Sequence, residues 1–270
     1  MRRLVVPLLL LAVGVAVGYA YHRWRVTPPT GEFVLPKRIV DISATLTEDA
    51  PIRLVGARAV QFLRIPGKTS FRRMVTDQPN LYVSSSVYEL YNHVGTHLDP
   101  ASHLVKASLT ADNYPLDRFI GRARLLDFRT KPRDEAITVE DLQGKGIQAG
   151  DVVILYTGYQ PPTSDSDWPS YPYLSGEAAE WLAQLPIKAF ASDMPSLGSF
   201  RRYPDLIRTG KTPADVVPEH LAFLLREIPN IEGLTNLETL VGEEKIVLVG
   251  FPLKVKDSDG GLLRAVALVY

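Results

Sequence analysis

Three of the chain's five histidines fall within eleven residues, in the run His93-Val-Gly-Thr-His97-Leu-Asp99-Pro-Ala-Ser-His103. Imidazole and carboxylate are the ligand pair that borderline divalent metals such as Zn²⁺ and Mn²⁺ accept. His97 and Asp99 are two apart, so on an extended segment their side chains share a face. His93 precedes a Gly-Thr pair, where the backbone can turn and return the ring toward the same point. His103 follows a proline-containing stretch and can approach from the side. The plainer alternative is a polar loop whose histidines each satisfy a local hydrogen bond. That reading serves a lone histidine better than three with a carboxylate.

A second group lies far along the chain. His220 stands at the start of a helix opened by Pro218, and Glu232 follows twelve residues later in Pro229-Asn-Ile-Glu232-Gly. A short helix, a turn and a few extended residues running back are long enough to return Glu232 to His220. Taken alone, His220 reads as a helix-start residue and Glu232 as an exposed strand-edge charge. Joined to the first run, they complete a set of three histidines and two carboxylates, with His103 left over. That set serves one or two divalent ions, zinc or manganese.

The elements that must position these groups are mostly strands. Short β-branched runs bounded by Gly, Asp or Pro predict strands at 39–43, 60–65, 81–90, 123–128, 152–157, 188–192, 245–251 and 263–269. Helix signals are fewer. Thr138 caps a short helix, Ser175 caps one over 176–185, and Pro218 opens one reaching about Ile228. Many strands and few helices predict a single α/β domain around a large mixed sheet. The histidine run falls in the loop after the 81–90 strand.

Composition removes several functions. Lys plus Arg equals Asp plus Glu at 30 each, so charge makes no case for nucleic-acid binding. The absence of cysteine excludes disulfides, thiolate metal sites and cysteine nucleophiles. No Gly-x-Ser-x-Gly elbow is present. At the N-terminus, Arg2 and Arg3 precede an apolar stretch from Leu4 to Tyr21, followed by His22-Arg-Trp-Arg25. Residues 1–25 are therefore expected to be a signal-anchor or signal peptide, 26–37 a linker and 38–270 the working domain. The expected location is membrane-anchored or exported.

The run from His93 to His103 resembles the signature of the cyclase-like metal-dependent hydrolases, which include bacterial kynurenine formamidases (arylformamidases) and isatin hydrolases. The likeness extends over most of the chain after about residue 38. It includes Asp41-Ile-Ser-Ala-Thr-Leu, Thr157-Gly158, the segment from Tyr171 to Leu182, Ser192-Asp-Met-Pro-Ser196, and Gly250-Phe-Pro-Leu-Lys-Val-Lys with Arg264-Ala-Val-Ala267. The resemblance implies a swivelling β/β/α domain assembled into dimers or tetramers. It implies His93, His97, Asp99, His220 and Glu232 as metal ligands, with Asp99 and Glu232 able to bridge two ions. It implies His103 as the proton-transfer residue.

The chemistry so implied is cleavage of the C–N bond of a small amide or formamide by an activated water. Thr96 and Gly95 are candidates for orienting the ligands, and Asp193 for a structural strand end beside the pocket. Two readings compete with the hydrolase: a non-catalytic, membrane-attached metal- or ligand-binding protein, and a metal-dependent lyase or cyclising enzyme. Two departures from the family pattern stand out. Pro100 directly follows Asp99, where the family places its proline one residue later. The early loop Glu48–Val55 holds no aromatic to pack on a substrate ring, which leaves Trp168 or Tyr171 to supply one and argues against N-formylkynurenine as best substrate.

Overall fold

The run Val152–Tyr156 is apolar throughout, and all five residues are buried. Such a continuous run marks a strand covered on both faces, as in the parallel part of an α/β sheet. The computed structural model describes residues 34–270 and bears this out. The strands are β1 (Arg38–Asp41), β2 (Ser70–Gln78), β3 (Leu81–Glu89), β4 (His97–Asp99), β5 (Ile120–Asp127), β6 (Ala136–Ile137), β7 (Val152–Tyr156), β8 (Tyr173–Leu174), β9 (Ala189–Ser192), β10 (Asn230–Glu232), β11 (Ile246–Val249), β12 (Gly261–Leu262) and β13 (Val266–Val269). Nine of them form one sheet in the order β1-β13-β11-β5-β7-β9-β10-β4-β12. The centre, β5-β7-β9-β10, is parallel, and both flanks are antiparallel. The expected α/β class with a large mixed sheet therefore holds.

Side-chain alternation along β7 and β9 divides the core in two. Val153, Leu155 and Phe190 face one apolar layer, with Ala178, Ala179 and Leu182 of the helix Gly176–Ala183 and Phe223 of the helix Pro218–Leu224. Phe190 stacks on Phe223 with ring centroids 4.6 Å apart. Val152, Ile154, Ala189 and Ala191 face the other layer, with Leu98 and Ile231. The Ser175 hydroxyl accepts from the Ala178 amide as expected of an N-cap, and Thr138 forms a capping box with Asp141.

Two readings of the local sequence are corrected. The 60–65 segment is not a strand; residues 60–63 belong to the helix Ala57–Leu63, which buries Ala59 and Val60 on one face and ends at Arg64. Burial of that face outweighs the β-preference of its short apolar run. The supposed early loop is also helical, over Ala50–Val55, with Pro51 in its first turn. The predicted strand at 81–90 forms, but its partner β2 gave no clear apolar signal. The two pair in register from Ser70↔Glu89 to Gln78↔Leu81 as a hairpin whose strands are exposed along nearly their whole length.

The N-terminal expectation is also corrected. No helix among the described residues is long and apolar enough to cross a membrane, and the 1–25 segment lies outside them. A membrane-anchored or exported location is therefore withdrawn. Pro36–Tyr270 forms one compact unit.

Leu155 is wholly buried between sheet and helices. Truncation to Leu155→Ala is expected to lower unfolding free energy by about 2–5 kcal/mol. Chemical denaturation followed by circular dichroism checks this, and a loss below about 1 kcal/mol would contradict the assigned core.

Candidate metal centre

Strands β4 and β10 build the centre between them. They run antiparallel with Asp99 opposite Asn230, Leu98 opposite Ile231 and His97 opposite Glu232. Leu98 and Ile231 point into the apolar core, so the alternation sends His97, Asp99, Asn230 and Glu232 together to the other face. Glu232 is also the last residue of a parallel strand, and the carboxyl ends of such strands are where open α/β sheets bind ligands. The turn before β4 needs glycine at 95, whose φ is +67°. Thr96 ties that turn down: its hydroxyl accepts from the Ala44 amide and donates to the Gly233 carbonyl.

The six candidate residues meet in one place. His93, His97, Asp99, His103, His220 and Glu232 all line a single cavity of about 250 Å³. His93 Nδ1 lies 2.7 Å from Asp99 Oδ1. His97 Nδ1 donates to the Gly95 carbonyl at 3.0 Å, which leaves Nε2 facing Asp99 at 3.4 Å and Glu232 at 3.8 Å. The helix Pro218–Leu224 brings His220 Nε2 to 3.2 Å from Glu232 Oε1. Pro100 is extended and starts the single turn Ala101–His103, which sets the His103 ring 4.3 Å from that of His93. The displaced proline thus still delivers His103 to the cluster.

Four residues around the cluster, Asn230, Glu219, Phe62 and Phe200, escaped the sequence reading. Asn230 donates from its amide nitrogen to Asp99 Oδ2 at 3.3 Å and Glu232 Oε1 at 2.9 Å, holding the two carboxylates together. The signal was available: Asn230 and Glu232 repeat the two-residue spacing of His97 and Asp99. Glu219 is buried with Oε1 3.5 Å from His220 Nδ1, and it accepts from the Tyr203 hydroxyl at 3.0 Å. Phe62 lines the cavity from the segment read as a strand, and Trp168 packs edge-on behind it at 5.4 Å. Phe200 adds a second ring. Neither Trp168 nor Tyr171 lines that cavity. Asp193 is a strand-end anchor, accepting from the Thr157 amide and hydroxyl and from the Tyr159 amide.

The electrostatics call for a cation. Asp99 and Glu232 are 2% and 3% exposed, and a buried carboxylate is costly unless compensated. Burial raises the Asp99 carboxyl, but hydrogen bonds from His93 and His97 outweigh it and hold the group well below the usual range. Burial opposes the His97 imidazolium, yet the Asp99 bond and the charges of Asp99 and Glu232 push it up to about 9. Glu219 and Glu232 likewise overcome burial and carry His220 up to about 10. Burial lowers His103, and Asp99 only partly offsets it.

The donors suit a divalent ion. Nitrogen and oxygen atoms of His93, His97 and Asp99 lie within 4.8 Å of one another, as do those of Asp99, His220 and Glu232, so Asp99 belongs to two overlapping groups. His93 Nε2 and Asn230 Oδ1 are buried without a hydrogen-bond partner. Imidazole nitrogen with carboxylate oxygen is a zinc-type or manganese-type set.

Fold and site together define an α/β protein with a cluster of histidines and carboxylates that could hold a metal at the carboxyl edge of a mixed sheet. Residues 40–199 match the cyclase family model, described as "Putative cyclase". The chain is 30% identical to a kynurenine formamidase of Erythrobacter litoralis, over 85% of this chain and 93% of that one. It is 27% identical to a kynurenine formamidase of Salinibacter ruber, over 66% and 76%. The chain belongs to the cyclase family. Its fold matches an isatin hydrolase solved with the product analogue thioisatinate, with a TM-score of 0.66 at 20% identity over 86% of this chain and 92% of that one.

The raised imidazoles set a pH dependence. At pH 7 the metal-free His97 and His220 carry protons, because their pKa values lie near 9 and 10. A metal must displace those protons, so affinity rises with pH. Zinc affinity by chelator competition is expected to climb at least about tenfold per unit between pH 7 and 9. A flat profile would show that neither imidazole carries a proton for the metal to displace above pH 7, and would contradict their raised pKa values.

Proposed function

We propose that the chain is a metal-dependent hydrolase that cleaves the C–N bond of a small amide or formamide, in the manner of an arylformamidase. The observation that carries this is the convergence of two buried carboxylates and three imidazoles beside His103, in a cavity with an aromatic wall. Relatives named kynurenine formamidase and a fold neighbour named isatin hydrolase support it, since both names describe C–N cleavage in small aromatic compounds.

His93, His97, Asp99, His220 and Glu232 would hold the ion, zinc or manganese, one or two per chain. A divalent ion there supplies Lewis acidity, drawing the pKa of a water toward about 7 and polarising a carbonyl. Asn230 keeps the two carboxylates at fixed separation, and Glu219 backs His220. His103 receives the proton of the attacking water and passes it to the leaving nitrogen. Its lowered pKa leaves Nδ1 or Nε2 free to accept at neutral pH. Phe62, Ile65 and Phe200 cover the apolar side of the cavity, a wall on which a flat ring would stack. That wall supplies the aromatic contact missing from residues 48–55. The substrate class is therefore a small aromatic amide, N-formyl amine or lactam.

His103→Ala is expected to keep its metal and lose about 10²- to 10⁴-fold in turnover of such a substrate. Hydrolysis of N-formylkynurenine and isatin, with metal content measured in parallel, tests this. Loss of metal would make His103 a ligand, and unchanged turnover would remove it from the mechanism.

A further inference from the structure

We propose that Glu219 is a positioning residue of the metal centre, held by Tyr203 and Gly198 so that it fixes the His220 ring with Nε2 offered to the ion. Successive residues on a helix do not face each other. Glu219 Oε1 nevertheless lies 3.5 Å from His220 Nδ1. Something outside the helix Pro218–Leu224 must therefore hold the carboxylate there, and the chain after β9 does so. The Tyr203 hydroxyl donates to the same oxygen, Oε1, at 3.0 Å. That bond uses the Tyr203 proton, so across the 2.9 Å to Ser196 it is Ser196 that donates. A Cβ on Gly198 would overlap Glu219 Oε1 and stand 2.7 Å from the Tyr203 hydroxyl, so only glycine admits the pair. Tyr171 pins that glycine by donating to its carbonyl at 2.7 Å.

Ser196, Tyr203 and Glu219 are all buried. Among the described residues the only cationic group that Glu219 meets is the His220 imidazole. A carboxylate is costly in such a place unless it is paired, so its presence is accounted for by that ring. The hydrogen bonds run in one direction, from Ser196 through Tyr203 to Glu219, and His220 Nδ1–H completes them from the other side. With Nδ1 carrying the proton, the lone pair is left on Nε2, which faces Glu232 Oε1 at 3.2 Å. A carboxylate behind a ligating imidazole sets its tautomer, orients the ring and raises its basicity, and losing one typically costs about 10- to 100-fold in metal affinity. The proposal rests on the reading of His220 as a metal ligand.

Zinc affinity of the full chain by chelator competition, with circular dichroism to confirm folding, tests it. Glu219→Ala is expected to bind zinc about 10- to 100-fold more weakly. Glu219→Gln keeps an oxygen able to accept from both Tyr203 and His220, and should recover most of that loss. Gly198→Ala removes no polar group but displaces the carboxylate, and should cost at least about tenfold. In a His220→Ala background Glu219→Ala should cost nothing further, because its effect runs through that ring. Wild-type affinity in folded Glu219→Ala would overturn the proposal, and so would an equal cost in both backgrounds. A loss in Glu219→Gln as large as in Glu219→Ala would trace the effect to charge and not to orientation, and would also overturn it. If the alanine variants at 198 and 219 do not fold, Tyr203→Phe replaces them: it takes away the donor that holds Glu219 and should weaken zinc about 2- to 10-fold, and wild-type affinity there would overturn the proposal. Wild-type affinity in His220→Ala would instead remove His220 from the ligands, so the two failures are distinguishable.

Discussion

The pairing of β4 with β10 brings two carboxylates, Asp99 and Glu232, onto one buried face. Two negative charges so close and so dry repel unless something positive stands between them. The surroundings answer that demand. Asn230 bridges the carboxylates with its amide protons, and His93, His97 and His220 crowd round them. Protons on His97 and His220 serve this purpose in the metal-free chain, and a divalent ion serves it better. The parallel centre of the sheet exists, in this sense, to hold β10 at the depth where Glu232 can meet His97.

Much of this centre was legible before any coordinates. The spacing of His97 and Asp99 is a strand period, and β4 realises it. The return from His220 to Glu232 follows from a helix opened by Pro218, a turn, and three extended residues. Asn230 carries no charge and so gives no ligand signal of its own, although it shares the register of Glu232. The helix Ala57–Leu63 has another reason for its poor legibility: a six-residue segment with four apolar residues, Val60, Phe62, Leu63 and Ile65, fits a strand and a buried helix face alike. That error mattered, since it hid Phe62 and made the cavity look short of an aromatic wall. The short strands β4, β10 and β12 carry too few residues to give a periodic signal, and only their pairing defines them.

The centre also divides the space around it. The cavity of about 250 Å³ holds all six polar residues and the apolar wall. A neighbouring cavity of about 310 Å³ shares His93 and His97 as lining and is edged by Arg53, Gln160 and Asn236. An imidazole pair thus separates an apolar compartment from a more polar one. A substrate with a flat ring and a polar tail would have a place for each part, with the scissile bond beside the imidazoles.

The central claim is that Asp99 and Glu232 converge in order to hold a divalent ion. Anomalous diffraction at the zinc edge, on crystals of the zinc-loaded chain, tests it most directly. The account predicts one or two peaks between β4 and β10 within about 2.0–2.2 Å of donor atoms from His93, His97, Asp99, His220 and Glu232. A fully formed cluster with no anomalous peak after zinc loading, or a peak held by other residues alone, would contradict it.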